Sequence, residues 1–196
     1  MQLLQTENNL DYKTYELQND DGNKVVYFDV EINKETALIS YYTEYEFRNK
    51  GYASQGLILL KDVLFSQSNI YFLELINLSN DYSRKVAENA GFFSPINSIN
   101  YYISLNPNAE TIIEEQIHKL EPSSKEYKKH KNLYNKIKRL RACENRSKEE
   151  LENKLEQLLQ QVEVLEKGDY KKHIEDEINH LQNILSKLHN SINKNR

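Results

Sequence analysis

Residues 47–54 read Phe47-Arg48-Asn49-Lys50-Gly51-Tyr52-Ala53-Ser54. The segment stands between a predicted strand and a predicted helix, where the first helical turn leaves several backbone N–H groups without intrahelical partners. Those donors and the positive end of the helix dipole favour phosphate binding. Gly51 allows a ligand close to the backbone, Ala53 keeps the next turn small, and Arg48 and Lys50 add positive charge. An ordinary strand-to-helix loop with two exposed cations fits the same residues.

Three segments before this loop have the composition of strands. Residues 14–18, 24–32 and 37–43 are rich in β-branched and aromatic side chains. The run Asn19-Asp20-Asp21-Gly22-Asn23 predicts a hairpin turn between the first two, because glycine can adopt a positive φ. These residues predict an antiparallel meander of three strands.

The hydrophobic period changes after the loop. One face of a helix is predicted by four apolar residues, namely Ala53, Leu57, Leu60 and Leu64. The apolar segment 70–75 follows as a strand buried on both faces. A strand, a helix and a strand of these lengths indicate a parallel crossover.

Another helix and another strand complete the first half. The helix is indicated by Tyr82, Val86 and Ala90 and ends at Gly91, and residues 99–103 can form the last strand. The predicted fold class is therefore α/β. A mixed sheet, made of an antiparallel meander plus one parallel crossover, is followed by an all-α region.

Two segments together resemble the GNAT superfamily of acyl-CoA-dependent N-acyltransferases. The family's pyrophosphate loop, Arg/Gln-x-x-Gly-x-Gly/Ala, is matched by Arg48-Asn49-Lys50-Gly51-Tyr52-Ala53. Its Asn-x-x-Ser/Ala motif ending in Gly-Phe is matched by Asn80 to Ser83 and by Gly91-Phe92. The resemblance covers about residues 12–104 and is greatest for the ribosomal-protein and spermidine N-acetyltransferase branches.

The resemblance implies direct transfer of an acetyl group from acetyl-CoA, as co-substrate, to an amine, without a metal. By position, residues 47–54 would hold the pyrophosphate and 42–46 would run beside the pantetheine. Asn80 would bind the pantetheine arm, and Ser83 would lie near the thioester sulfur. The implied acetyl-CoA-binding residues are Tyr45, Glu46, Phe47, Arg48, Asn49, Lys50, Gly51, Tyr52, Ala53, Ser54, Asn80 and Ser83.

Acetyl transfer needs a base for the attacking amine and an acid for the leaving thiolate. Glu74 is the first candidate for the base, because it stands where the ribosomal-protein branch has a glutamate; Glu44 is the alternative. A partly exposed strand carboxylate without a catalytic role also fits Glu74. Many family members carry the acid as a tyrosine four residues before the helix-ending glycine, where this chain has Ala87. Ser83 could take its place, and Tyr82 is a weaker substitute.

One family feature is missing from the sequence. Family members place two helices between their first and second strands, and these helices form one wall of the acceptor site. Only about 36 residues precede Ala37, and the predicted hairpin uses most of them. Two functions therefore stay open. The chain is an N-acetyltransferase acting on a primary amine, or a degenerate acetyl-CoA-binding fold that serves as an adaptor or regulator through its helical region.

The sequence changes character at Asn106-Pro107, a helix cap followed by proline. Residues 1–106 carry 8 basic and 14 acidic residues, a net charge of −6, whereas residues 107–196 carry 18 and 16, a net charge of +2. We therefore expect an acetyltransferase-like domain over 1–106 and a helical extension over 107–196. A helix is predicted over 107–120, and the capping boxes Ser123-x-x-Glu126 and Ser147-x-x-Glu150 predict two further helix starts.

Residues 125–148 are strongly basic, with ten Lys/Arg against two acids. Such a run could contact nucleic acid. The interpretation favoured from the sequence is a solvated helix face that pairs with the acidic helix behind it.

Two apolar stripes with a 3.5-residue period end the chain, and they consist of Leu151, Leu155, Leu158, Val162, Leu165, Ile174, Ile178, Leu181, Leu185, Leu188 and Ile192. The period and the break at Gly168-Asp169 predict an antiparallel coiled-coil hairpin at about 148–192. Its seam either closes on itself or pairs with a second copy or a helical partner protein.

Composition limits other classes of protein. No apolar run approaches the roughly 20 residues needed to cross a bilayer. Cys143 is the only cysteine, which excludes intramolecular disulfides and favours the cytoplasm. His173 and His180 are seven residues apart but have no cluster of Cys or carboxylates beside them, so no metal site is predicted.

Overall fold

The computed structural model of the chain describes residues 1–9, 11–67, 69–76, 78, 80–95, 100–164 and 169–193, with the backbone alone at 163–164, 169–171 and 188–193. It divides into two compact units, Met1–Ala109 and Glu110–Arg196. The strands are β1 Gln2–Asn8, β2 Tyr12–Gln18, β3 Lys24–Asn33, β4 Thr36–Thr43, β5 Phe72–Ile76 and β6 Tyr101–Leu105. The helices are α1 Tyr52–Phe65, α2 Asp81–Asn89, α3 Ala109–His118, α4 Lys125–Val164 and α5 Asp169–Asn193, and a 3₁₀ turn covers Tyr45–Phe47.

The first unit contains a mixed six-stranded sheet in the order β1-β2-β3-β4-β5-β6. Each neighbouring pair is antiparallel except β4 and β5, which are parallel and are joined through α1. The predicted meander and the predicted parallel crossover are both confirmed. The crossover matters for function because it places the start of α1 beside the carboxyl end of β4.

β1 is an additional strand that the sequence analysis does not predict. It pairs with β2 from Gln2↔Gln18 to Asn8↔Lys13 and has a register shift between Gln5 and Glu7. Most of its residues are exposed, so its sequence lacks the apolar alternation that indicates a half-buried strand. Residues 9 and 11, the described positions between β1 and β2, are not helical.

The core of this unit lies between the sheet and α1. Ala53, Leu57, Leu60 and Leu64 are buried, as their spacing predicts. Gly56 lies on the same side of α1, and a Cβ atom there would come within 2.6 Å of the buried Phe28 ring. Glycine at this position therefore lets the helix approach β3 closely.

Two details near α2 differ from the prediction. Tyr82 is 73% exposed, whereas Ala87 and Ala90 are buried, so the buried face is rotated from the one predicted. The last strand begins at Tyr101, two residues later than expected, and Ile99 lies outside the described residues.

The helical unit is built on one long helix. α3 begins at Ala109, where the backbone N–H donates to Asn106 O, instead of at 107. α4 starts after Ser124, whose Oγ accepts from the N–H of Tyr127 at 3.0 Å, so the prediction of Ser123 as the cap is wrong. The helix start predicted at Ser147 is also wrong, because α4 runs unbroken for 40 residues.

The two apolar stripes pack against each other within the chain. Leu158, Ile174, Ile178 and Leu181 are buried together, and Leu151, Leu155 and Val162 pack on them. The predicted break at Gly168, and the side chains of Leu165, Leu188 and Ile192, lie outside the described residues. No described helix combines the length and apolar character required to span a membrane.

Candidate functional site

The candidate site begins where β4 and β5 separate. The parallel pairing runs from Thr36↔Phe72 to Ile39↔Leu75, while β4 continues to Thr43. A cleft of about 1,240 Å³ opens at this point. This volume exceeds that of typical small-molecule sites, which is about 300–1,000 Å³. The cleft is lined by β4, by the loop before α1 and by the start of α2.

The loop before α1 presents backbone donors to this cleft. Gly51 precedes the helix with φ of 80° and provides no side-chain cap. The first backbone bond of the helix runs from the N–H of Gln55 to Gly51 O at 3.1 Å. In the described part of the chain, the N–H groups of Gly51, Tyr52, Ala53 and Ser54 have no acceptor. Four such donors at the positive end of a helix form a site for an anion.

Arg48 is held in place by local contacts although the residue is exposed. Its Nε donates to Thr43 O at 3.1 Å. Its guanidinium lies 5.6 Å from the ring centroid of Tyr42 and 5.4 Å from that of Tyr45. Such cation–π contacts are worth about 0.5–1 kcal/mol at an exposed position. They fix a positive charge at the mouth of the cleft without neutralising it.

Asn80 and Ser83 form the start of α2. The side-chain Oδ1 of Asn80 accepts from the N–H of Ser83 at 2.8 Å, which caps the helix. The Ser83 hydroxyl donates to Asn80 O at 2.9 Å. The side-chain Nδ2 of Asn80 has no acceptor among the described residues and can donate to a ligand carbonyl. The proton of Ser83 is engaged, so that hydroxyl must rotate before it can reach a sulfur atom.

Tyr41 connects β4 to the same helix start. Its hydroxyl donates to Ser83 O at 3.4 Å, and its ring packs 6.4 Å from that of Phe28. Burial raises the pKa of Tyr41 to about 12. The hydroxyl therefore stays protonated at neutral pH, and it serves as a donor that ties α2 to the sheet.

Glu74 lies outside the main cleft. It lines a second cleft of about 420 Å³ together with Glu31, Lys34 and neighbouring residues, and Ile76 lines both clefts. Burial, and then the charge and hydrogen bonding of Glu74, raise the pKa of the Tyr101 hydroxyl, which donates to this carboxylate. A neutral tyrosine thus orients the Glu74 carboxylate in the second cleft.

Most of the predicted ligand-binding residues do line the main cleft, namely Tyr45, Phe47, Arg48, Asn49, Gly51, Tyr52, Ala53, Ser54, Asn80 and Ser83. Glu44, Glu46 and Lys50 do not line it. The N–H of Glu44 donates to Val25 O at 3.1 Å, and Lys50 Nζ lies 5.3 Å from the centroid of the Phe47 ring.

Sequence reasoning missed several residues of the site, among them Lys85, Tyr41 and Tyr101. Lys85 lines the main cleft from α2, and Tyr41 lines it from β4. Tyr101 contacts Glu74 from β6. Tyr41 could have been found from the alternation of β4, since it follows the buried Ala37 and Ile39 on one face. Tyr101 could not, because its contact depends on the register of β5 with β6.

No protein-family model and no curated protein sequence matches the chain. Structural similarity is found to GNAT acetyltransferases. The ribosomal-protein-S5-alanine acetyltransferase from Vibrio fischeri is 14% identical with a TM-score of 0.40, over 48% of this chain and 62% of that enzyme.

Two further solved structures belong to the same class. The spermidine N-acetyltransferase from Vibrio cholerae, in complex with CoA and spermine, is 18% identical with a TM-score of 0.41, over 50% of this chain and 67% of that enzyme. An aminoglycoside acetyltransferase in complex with coenzyme A and kanamycin is 13% identical with a TM-score of 0.44, over 54% of this chain and 70% of that enzyme. The matches cover about half of this chain and, for the Vibrio fischeri enzyme, less than two thirds of the relative. The alanine, spermine and kanamycin in these names belong to the other proteins and are not assigned to this chain.

Proposed function

We propose that this chain is an N-acetyltransferase that transfers an acetyl group from acetyl-CoA to a primary amine. One observation carries the proposal. Four backbone N–H groups, from Gly51 to Ser54, have no acceptor among the described residues and line a cleft between diverging strands. A pyrophosphate supplies the anionic oxygens that such donors bind.

The remaining length of the cleft suits an extended ligand with amide groups. Beyond Ile39 the described residues give β4 no strand partner on the β5 side. Its backbone groups can therefore bond to the amides of pantetheine, as an exposed sheet edge bonds to an added strand. Nδ2 of Asn80 supports the proposal as an additional donor from the opposite wall.

Glu74 is the residue that we assign as the base. The amine nitrogen attacks the thioester carbonyl carbon, the C–S bond breaks, and the CoA thiolate leaves. The amine proton passes to Glu74 directly or through a water molecule. Since Ile76 lines both clefts, an amine held beside Glu74 would meet a thioester that enters along β4. No described side chain is assigned here as the acid.

Calorimetry on the full chain tests the proposal. Titration with CoA should show saturable binding, and acetyl-CoA should be consumed when a panel of primary amines is added. Protein as purified should be examined by mass spectrometry for co-purified CoA. Absence of CoA binding to the folded wild-type chain would refute the proposed function.

A second candidate function is a CoA-binding adaptor without turnover. It is favoured by the short connection between β1 and β2, whose described residues 9 and 11 are not helical, because the GNAT family has helices there that build the acceptor wall. The buried Ala87, at the position of the family's tyrosine acid, favours it too. This candidate predicts CoA binding without thioester consumption across the amine panel.

A further inference from the structure

Between residues 125 and 146, one side of α4 contains many basic residues and no acidic residue. An α-helix turns about 100° per residue, which places twelve residues between 125 and 146 within one half of its circumference. We call this set the basic face, and it consists of Lys125, Lys128, Lys129, Lys131, Asn132, Asn135, Lys136, Lys138, Arg139, Ala142, Cys143 and Arg146. Eight of the twelve are Lys or Arg, none is acidic, and all except Cys143 are exposed.

The opposite side of α4 is the packed one. Ile137 and Glu144 are buried there. Arg141 forms ion pairs with Glu144 and, at 3.6 Å, with Glu110. The one buried acid of this segment is therefore neutralised by Arg141, which lies outside the basic face.

The same side of α4 continues into the seam with α5. Leu151, Leu155 and Leu158 fall on the side of Ile137 when the 100° rotation is followed along the helix, and they pack with Ile174 of α5. α5 thus packs on the side opposite to the basic face. This geometry argues against the interpretation in which the acidic residues of the last helix pair with the basic run.

We infer that the basic face binds the phosphate backbone of duplex nucleic acid. The face extends for about 31 Å along the unbroken α4, at 1.5 Å per residue, which is close to one turn of a duplex. A duplex carries one negative charge per about 1.7 Å of its axis, so several phosphates lie within reach of the face.

The composition of the face favours this partner over a lipid surface. A membrane-bound helix inserts large apolar side chains below the headgroups. The basic face has none, because its uncharged members are Asn132, Asn135, Ala142 and Cys143. A helix face of exposed cations can contact the phosphates of a duplex, and contacts to phosphates alone predict binding without base specificity.

Fluorescence anisotropy on the full chain tests the inference. A labelled 24-base-pair DNA duplex and an RNA duplex of the same sequence are titrated between 50 and 300 mM KCl. Wild-type protein should bind one or both with an affinity that falls steeply with salt. The double variant Lys128→Gln/Arg139→Gln should lower the magnitude of the log–log salt slope by about 1.8, at 0.9 per lost phosphate contact. If both proteins bind equally at 1 M salt, this change of slope corresponds to about 60-fold weaker binding of the double variant at 0.1 M.

A matched variant separates the face from net charge. Lys119→Gln/Lys172→Gln removes the same charge from exposed positions outside the basic face and should leave the slope unchanged. Equal losses in the two variants, or a salt-independent wild type, would overturn the inference. So would equally tight binding to vesicles with 30% phosphatidylserine or to polyglutamate. CoA calorimetry on the same variants should match wild type, so this test is independent of the proposed acetyltransferase activity.

Discussion

Glycine occupies positions 22 and 51 with the same left-handed backbone, φ of 80° in both. Alanine is strained by about 1 kcal/mol in that conformation at either position. Only Gly51 belongs to the loop with unpaired N–H groups. Gly51→Ala should therefore weaken CoA binding at least tenfold, because a tilted loop no longer aligns its donors, as calorimetry can measure.

Gly22→Ala provides the matched control. A Cβ atom there meets nothing within 4 Å, and the residue lies in the β2–β3 turn. It should lower the free energy of unfolding by a similar amount while leaving CoA affinity intact. Equal affinity loss in both variants would show that the loop has no special role.

Substitution of Glu74 should slow turnover without changing the affinity for acetyl-CoA. Glu74→Gln keeps the size of the side chain and removes the base, so kcat should fall by about 10²–10⁴-fold. The Kd for acetyl-CoA should not change, since Glu74 does not line the main cleft. Glu31→Gln, in the same smaller cleft, is the control and should retain most of kcat. Full turnover in Glu74→Gln would remove Glu74 from the mechanism.

The stability of the first unit should depend on Tyr41 at alkaline pH. Its folded pKa of about 12 exceeds the unfolded value of 10.0 because burial penalises the phenolate. The fold therefore favours the protonated form, and this stabilisation is complete below pH 10 and lost as the pH rises through 12. Between pH 9 and 11 the loss is about 1 kcal/mol. Denaturant unfolding measures the free energy of unfolding at both pH values. Between pH 9 and 11 this free energy should fall by about 1 kcal/mol less in Tyr41→Phe than in the wild type. An identical pH dependence in both proteins would contradict the assignment.

Close packing constrains α1 at Gly56. Alanine would add helix propensity of up to about 1 kcal/mol. Its Cβ, however, would lie 2.6 and 2.9 Å from two ring carbons of Phe28 and 3.2 Å from Leu17. Overpacking of this kind costs about 1–3 kcal/mol, so Gly56→Ala should lower the free energy of unfolding despite its propensity.

A double-mutant cycle identifies the cause of that loss. Phe28→Leu removes the ring carbons that the new methyl group would meet. The double variant Gly56→Ala/Phe28→Leu should therefore cost less than the sum of the two single variants. Strict additivity would mean that the destabilisation arises elsewhere in α1.

The elements predicted well from the sequence are those with a local signal. The face of α1 follows from the spacing of four apolar residues, and the loop at Gly51 follows from the turn that a strand and a helix require. β1 escaped prediction because its exposed residues show no alternation. Ser147 satisfies a capping pattern inside α4, but the apolar side of the helix continues through it from Ile137 to Leu151. Packing on that side outweighs a local cap.

At the scale of the whole molecule, the contacts that sequence reasoning could not supply join residues far apart in the chain. The cleft exists because the pairing of β4 with β5 stops after Ile39, and no local pattern encodes that point. Glu74 and Tyr101 meet through the register of two strands separated by α2. Residue types at a site are thus predictable from sequence, whereas the wall on which each lies depends on strand pairing.

The two units should respond differently to acetyl-CoA. One described core cluster of the sheet unit comprises residues between 15 and 102, and the cluster shared by α4 and α5 comprises residues between 158 and 181. A ligand stabilises the state that binds it, by about 2.7 kcal/mol at a concentration of 100 Kd. Of the 14 tyrosines, 11 lie in Met1–Ala109, so near-ultraviolet dichroism reports mainly on that unit. Acetyl-CoA should raise the melting temperature measured by near-ultraviolet dichroism more than the melting temperature measured at 222 nm. The long helices contribute strongly to the signal at 222 nm. At the same acetyl-CoA concentration, a tenfold weaker affinity in Gly51→Ala should reduce the stabilisation to about 1.4 kcal/mol and narrow the difference. Equal shifts of both signals in the wild type would mean that the units unfold as one.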